Sequence, residues 1–72
     1  MNNLGKELRY QRKVNKLSQK KIAEVLGIGA TAISRWEMGE CTPSIFELMA
    51  LADFYDISLD ELVGRDYFGR IW

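Results

Sequence analysis

Histidine is absent from this 72-residue sequence, and cysteine occurs once, at Cys41. A single thiol cannot form an internal disulfide, and without histidine it cannot complete a cysteine–histidine metal site. We therefore expect no bound metal, no cofactor and an inert thiol. The near-absence of cysteine is typical of proteins in a reducing compartment, which predicts a cytoplasmic location.

Long apolar runs are also missing. None approaches the roughly 18 residues that a membrane-spanning helix requires. The opening residues, MNNLGKELRYQRK, alternate charged with apolar side chains too often for a secretory signal peptide. The chain is 47% hydrophobic and 28% charged, which is typical of a globular protein, and its length allows one domain.

The net charge is zero, but the two halves of the chain have opposite charges. Residues 1–36 contain eight basic and two acidic residues, a net charge of +6. Residues 37–72 contain two basic and eight acidic residues, a net charge of −6. Such asymmetry favours a basic face that meets an anionic partner, although an ordinary solvated surface is the alternative.

Five short helical patterns follow one another, with no internal repeat. They are separated by residues that cap or stop helices, including the serines at 18, 44 and 58 and the glycines at 27 and 39. The spacing predicts helices over about 3–15, 18–27, 29–39, 44–55 and 58–64, with capping boxes at Ser44 and Ser58. No segment before residue 65 alternates with a period of two, so the fold class is all-α. Residues 65–72, RDYFGRIW, form an apolar tail that could be an irregular strap or a short strand.

The second predicted helix opens with Gln19, Lys20 and Lys21. Lysines in a first turn are unfavourable beside the positive end of the helix dipole, whereas the later capping boxes place glutamate there. Free N–H groups together with glutamine and lysine side chains form a ready site for phosphate. A chance arrangement of surface residues is the alternative.

One stripe of the third predicted helix combines small, polar and basic residues. It contains Ala30, Thr31, Ser34, Arg35 and Met38. Such a helix suits a narrow polar groove, because methyl groups can contact thymine and arginine can contact guanine or phosphate. A solvated face would more usually carry glutamate, lysine and glutamine. The second and third helices together predict a helix, a glycine-containing turn and a short helix.

The opposite stripe of the third helix directs Glu37 inwards beside Ile33 and Trp36. A buried carboxylate needs a partner. Arg12 continues the apolar face of the first helix, so we expect an ion pair between Arg12 and Glu37. Catalysis by Glu37 is not expected, because no second carboxylate, histidine or nucleophile is placed beside it, and the chain is predicted not to be an enzyme.

These segments resemble the Cro/C1-type (XRE-like) helix-turn-helix family of bacterial and phage regulators. The resemblance rests on LRYQR (8–12), LSQKKIAEVLGI (17–28), AISRWEMGE (32–40), PSIFELMALADFY (43–55) and ISLDELVG (57–64). It implies a five-helix, lambda-repressor-like domain over 1–64 that binds double-stranded DNA, with the third helix in the major groove. By this resemblance, Gln19 contacts phosphate, and Ala30, Thr31 and Arg35 face bases or phosphates, with Ser34 nearby. The sequence departs from the family at Gly29, which replaces the usual Ser or Thr cap, and at Ala30, where a long polar side chain is common.

The resemblance further implies a nucleoid-associated transcriptional repressor that binds a palindromic operator as a homodimer, without a small-molecule ligand. Several apolar residues of the acidic half have no obvious core role and are candidates for the dimer interface. They are Phe46, Ala50, Tyr67, Phe68, Ile71 and Trp72. Two alternatives remain open: the tail could cover its own core, or the domain could be an antitoxin-like or adaptor module that binds a protein.

Overall fold

The computed structural model describes residues 4–63, which form five α-helices. These are α1 (Leu4–Val14), α2 (Gln19–Leu26), α3 (Ala30–Met38), α4 (Ile45–Tyr55) and α5 (Leu59–Leu62). Within this range there is no β-strand. The predicted all-α class is confirmed, and each helix lies within its predicted span.

Local capping chemistry determines where α2 and α3 begin and end. The Oγ of Ser18 accepts a hydrogen bond from the backbone N–H of Lys21 at 3.0 Å. Gly27 and Gly39 end the two helices in the left-handed conformation, with φ of 72° and 80°. Gly29 precedes α3 and provides no side-chain cap, so α3 begins with fewer stabilising hydrogen bonds than α2.

Serine caps also begin α4 and α5. At α4 the predicted capping box is complete, because Glu47 N–H donates to Ser44 Oγ at 3.2 Å and Ser44 N–H donates to Glu47 Oε1 at 2.8 Å. At α5, Glu61 N–H donates to Ser58 Oγ at 3.0 Å, which is the forward half of the predicted box. The buried Pro43 precedes the α4 cap.

A lysine ends α1. Lys16 adopts the left-handed conformation, with φ of 59°. Its N–H donates to the carbonyl oxygen of Lys13 at 3.0 Å. The N–H of Leu17 donates to the carbonyl oxygen of Arg12, also at 3.0 Å. This is the Schellman pattern, which glycine usually completes.

The core lies between α3 and the helices around it. Helix α3 packs against both α1 and α2, and α5 packs against α4 and α1. The buried apolar residues are Leu8, Ile22, Ala23, Ile33, Trp36, Leu48, Leu51, Ala52 and Leu62. Because Ile33 and Trp36 face this core, the opposite side of α3 remains available to a partner.

Gly5 permits the close approach of α1 to the end of α3. A Cβ atom at this position would lie 2.6 Å from the carbonyl oxygen of Glu37 and 2.8 Å from that of Trp36. Both distances are shorter than van der Waals contact, and both involve backbone atoms. The first turn of α1 therefore has no room for a side chain at Gly5.

Candidate nucleic-acid interface

A buried ion pair joins α1 to α3. Arg12 Nε donates to Glu37 Oε2 at 2.7 Å, and Arg12 Nη2 donates to Glu37 Oε1 at 3.1 Å. The two side chains are only 11% and 6% exposed. The remaining guanidinium nitrogen, Nη1, donates to the carbonyl oxygen of Leu17 at 2.8 Å. Arg12 thus fixes the entrance of α2 as well as the end of α3.

Gln19 extends this network to α2. Its Nε2 donates to Glu37 Oε1 at 3.1 Å. The first residue of α2 is therefore attached to the last turn of α3 through a carboxylate that also binds Arg12. The family resemblance predicts that Gln19 contacts phosphate. The bond to Glu37 could not be predicted, because its only local signal is the position of Gln19 at a helix start. The amide keeps a second N–H and its oxygen for other partners.

The network perturbs two ionisable groups. Hydrogen bonding to Glu37 raises the pKa of Arg12 above its ordinary value, although desolvation opposes the shift. Burial raises the pKa of Tyr55, whose side chain lines a small cavity together with Arg12 and Glu37, to about 12. Arg12 lowers and Glu37 raises the pKa of Tyr55 by smaller amounts. The guanidinium is therefore cationic and the phenol neutral at neutral pH.

The first turn of α2 presents cations to solvent. Lys20 and Lys21 are exposed, and Gln19 is half-buried. Because Ser18 already accepts the N–H of Lys21, the backbone donors left to an anion are those of Ser18, Gln19 and Lys20. The three predicted phosphate contacts thus lie together on one helical turn.

The solvent-accessible part of the outer stripe of α3 contains fewer residues than the sequence spacing predicts. Thr31, Arg35 and Met38 are exposed, whereas Ala30 and Ser34 are half-buried. Ala30 packs against the core, and Ser34 Oγ donates to Met38 Sδ at 3.6 Å. Thr31 and Arg35 therefore form the centre of the accessible surface, with Ala30 and Ser34 at its edges.

The predicted dimer residues lie only partly within the described chain. Phe46, on α4, is 78% exposed, and Ala50 is exposed beside it. The other candidates, Tyr67, Phe68, Ile71 and Trp72, lie outside the described residues. The predicted division into 1–64 and 65–72 falls at the end of the described region and stays a prediction.

Two further observations concern the described residues alone. Over residues 4–63, no group of three or more acidic or cysteine side chains is placed to hold a metal ion, and Cys41 is exposed as a free thiol. None of the five helices has the length and apolar character needed to cross a membrane.

Comparison with known proteins gives the family. The sequence profile of a helix-turn-helix family matches residues 8–62, a span that includes the network, α2 and α3. The chain belongs to the Cro/C1-type helix-turn-helix family. Its members are DNA-binding transcriptional regulators, so the resemblance found in the sequence is confirmed.

Three similar proteins show how far this Cro/C1-type relationship extends. The cryptic phage CTXphi transcriptional repressor RstR of Vibrio cholerae is 38% identical over 62 residues, which are 86% of this chain and 55% of the repressor. A Listeria innocua transcriptional regulator has a TM-score of 0.88 at 29% identity, covering 100% of this chain and 65% of its own. The P22 c2 repressor in complex with a synthetic operator has a TM-score of 0.81 at 32% identity, covering 92% of this chain and all of its own.

The structural similarity confirms the predicted lambda-repressor-like fold. The chain spans about half of RstR and 29% of the full-length Salmonella phage P22 repressor C2. What it shares with these relatives is therefore the helix-turn-helix domain.

Proposed function

We propose that this domain binds double-stranded DNA sequence-specifically, with α3 in the major groove. The observation that carries the proposal is the exposed surface of α3 around Thr31 and Arg35, opposite a face fixed in the core by Ile33 and Trp36. A methyl group and a guanidinium are suited to thymine and to guanine or phosphate, respectively. The half-buried Ala30 and Ser34 allow close approach without long side chains that would hold the helix away.

The first turn of α2 supplies the contacts to the DNA backbone. Lys20 and Lys21 bind phosphate by charge, and Gln19 binds it through the amide N–H that Glu37 does not use. The Gln19–Glu37 bond keeps these groups in a fixed position relative to α3. The +6 charge of residues 1–36 attracts the duplex, and the acidic residues 37–72 are the half that we place away from it.

The protein acts as a repressor and binds a palindromic operator as a homodimer through Phe46 and the apolar residues after position 66. The names of RstR and P22 c2 support repression, and the c2 structure contains an operator. A single domain reads few base pairs, whereas a dimer reads two half-sites about 34–36 Å apart. Since the chain covers only part of these relatives' length, the activity of the whole protein is part of this proposal.

Selection of bound sites from random duplexes tests the proposal directly. We expect the parent to enrich a two-fold symmetric sequence. Thr31→Ala and Arg35→Ala should each change the preference at particular base pairs, by roughly 1–3 kcal/mol. Thr42→Ala, the same substitution at an exposed position outside α3, is the control and should leave the preference unchanged. Unchanged preferences in both α3 variants, with stability retained, would show that α3 does not read the bases.

The phosphate contacts are tested by salt dependence. Lys21→Ala should weaken binding to all duplexes alike and reduce the slope of log affinity against log salt by about 1. Lys6→Ala, an exposed lysine on α1, controls for the loss of one positive charge. An identical slope for Lys21→Ala and the parent would remove Lys21 from the interface.

A protein-binding module is the second candidate function. The exposure of Phe46 together with Ile45 and Met49 on the same helix favours it, because contiguous exposed apolar side chains mark protein-binding surfaces. Measurement of duplex binding at low salt distinguishes the two functions, because a DNA-binding domain with this charge distribution retains affinity for duplex DNA there. A parent protein that binds no duplex there would favour the module.

A further inference from the structure

One face of α4 is apolar and uncovered. Large side chains on it are Phe46, Ile45, Met49 and Phe54, which are 78%, 51%, 49% and 42% exposed. Ala50 and Asp53 are exposed among them. We call these six residues the α4 outer face. Positions 46, 49, 50 and 53 repeat at the spacing of a helix surface that docks against another segment.

The part of the chain that contains this face carries one sign of charge. Between Trp36 and Val63 the sequence contains seven acidic residues and no lysine or arginine. Glu37 is neutralised by Arg12, which leaves six other acids between Trp36 and Val63. Two copies that met through their α4 outer faces would therefore bring like charges together, which opposes association. The face requires an occupant that is both apolar and cationic.

Residues 65–72 have this composition. The segment RDYFGRIW contains two arginines and one aspartate, together with Tyr67, Phe68, Ile71 and Trp72. Its eight residues reach up to about 28 Å when extended, and the 11 residues of α4 span about 16 Å. The segment is therefore long enough to follow the whole α4 outer face, and its charge is opposite.

We propose that residues 65–72 of one copy bind the α4 outer face of a second copy, and that the exchange is reciprocal. The inference rests on the homodimer of the proposed function and identifies its interface. Each aromatic side chain buries about 150–250 Å². Six of them, three from each copy, therefore supply about 900–1,500 Å². A stable protein interface buries about 1,200–2,000 Å² in total, so reciprocal exchange reaches that range.

One charge pair makes the exchange testable. Asp53 lies among the apolar residues of the α4 outer face, and Arg70 lies among Phe68, Ile71 and Trp72 in the sequence. We therefore pair Asp53 with Arg70 of the other copy. Asp53→Arg and Arg70→Asp each place like charges in both contacts of a homodimer. A mixture of the two variants restores opposite charges in both contacts of a heterodimer.

The experiment measures mass in solution by sedimentation for the parent, each variant and the equimolar mixture. We expect a dimeric parent, a dimer dissociation constant raised about tenfold or more in each variant alone, and a dimer in the mixture. Glu40→Arg makes the same charge change at an exposed acid outside α4 and should stay dimeric. Phe46→Ser is a second variant on the face and should also dissociate. Circular dichroism verifies that each variant stays helical.

Four results would overturn the inference. In the first, the separate variants stay as dimeric as the parent, which places the interface elsewhere. In the second, the mixture stays monomeric, which shows that Asp53 and Arg70 do not pair between copies. In the third, Glu40→Arg dissociates as much as Asp53→Arg, which shows that dissociation depends on net charge and not on position 53. A monomeric parent that still selects a DNA sequence would exclude the exchange and leave DNA recognition standing.

Discussion

At the scale of single residues, Gly5 determines how closely α1 approaches α3. A Cβ atom there would lie within 2.8 Å of two backbone carbonyl oxygens at the end of α3. Backbone atoms cannot rotate away, so Gly5→Ala must displace one helix. We expect a loss of about 1–3 kcal/mol in the free energy of unfolding, measured by urea denaturation. Lys6→Ala, at the exposed neighbouring position, should unfold like the parent. Equal stability of the two variants would show that α1 lies further from α3.

Tyr55 makes the stability of the protein vary with pH in the alkaline range. Burial raises the pKa of Tyr55 from 10.0 to about 12, so the folded state holds the phenol proton more tightly than the unfolded chain. The resulting contribution to the free energy of unfolding is complete below pH 10 and is lost as the pH rises through about 12. The parent should therefore lose melting temperature over this window more steeply than Tyr55→Phe, which has no phenol proton. Because all other ionisable groups are common to both proteins, parallel melting curves from pH 9 to 11.5 would contradict a raised pKa.

At the scale of the helices, the residue that closes the C-terminal turn after α1 does not favour the conformation it adopts. Lys16 is left-handed with φ of 59°, whereas glycine occupies the equivalent positions after α2 and α3. Lys16→Gly should stabilise the protein by about 0.5–1 kcal/mol, because the left-handed region costs a residue with a Cβ atom more than it costs glycine. Thermal denaturation measures the gain. Asn15→Gly, one residue earlier and not left-handed, should give none, and a gain there but not at Lys16 would contradict the explanation.

The helix boundaries could be predicted from the sequence because they depend on local chemistry. Ser18, Ser44 and Ser58 each accept a backbone N–H three residues later. Gly27 and Gly39 end helices in a conformation that glycine adopts readily. Such interactions involve residues within one turn, so the residue types reveal them. The left-handed Lys16 was not anticipated, because its conformation is imposed by the chain around it.

The candidate site was predictable to a lesser degree. The ion pair of Arg12 with Glu37 was expected, because an inward carboxylate and an inward guanidinium stood on two amphipathic helices. The bond of Gln19 to Glu37 and the bond of Arg12 to Leu17 depend on how α1, α2 and α3 pack together. Gly5 was not singled out, because a glycine in a helix does not reveal which backbone approaches it.

At the scale of the whole molecule, the Arg12–Glu37 pair holds three helices in one arrangement. Arg12→Ala would leave Glu37 buried without its cation, so we expect a loss of about 3–5 kcal/mol. That is a large share of the stability of a 72-residue domain. Urea denaturation measures the loss, and circular dichroism shows whether the variant folds at all.

The double variant Arg12→Met, Glu37→Leu is the control for this prediction. It removes both charges and keeps apolar volume, so it should recover much of the stability lost in Arg12→Ala. If Arg12→Ala unfolds at the same urea concentration as the parent, the pair contributes no stability. If the double variant is less stable than Arg12→Ala, the hydrogen bonds to Gln19 and Leu17 outweigh the buried charge.

The same ion pair constrains how this sequence can evolve. A lineage that replaced Arg12 alone would pass through descendants carrying an unpaired buried carboxylate, and selection would remove most of them. A lineage that replaced Glu37 alone would leave the Arg12 guanidinium without its carboxylate and remove the hydrogen-bond acceptor of Gln19. Arginine at position 12 and glutamate at position 37 should therefore be retained together or replaced together among descendants of this gene. Gln19 should vary more freely wherever position 37 has become apolar.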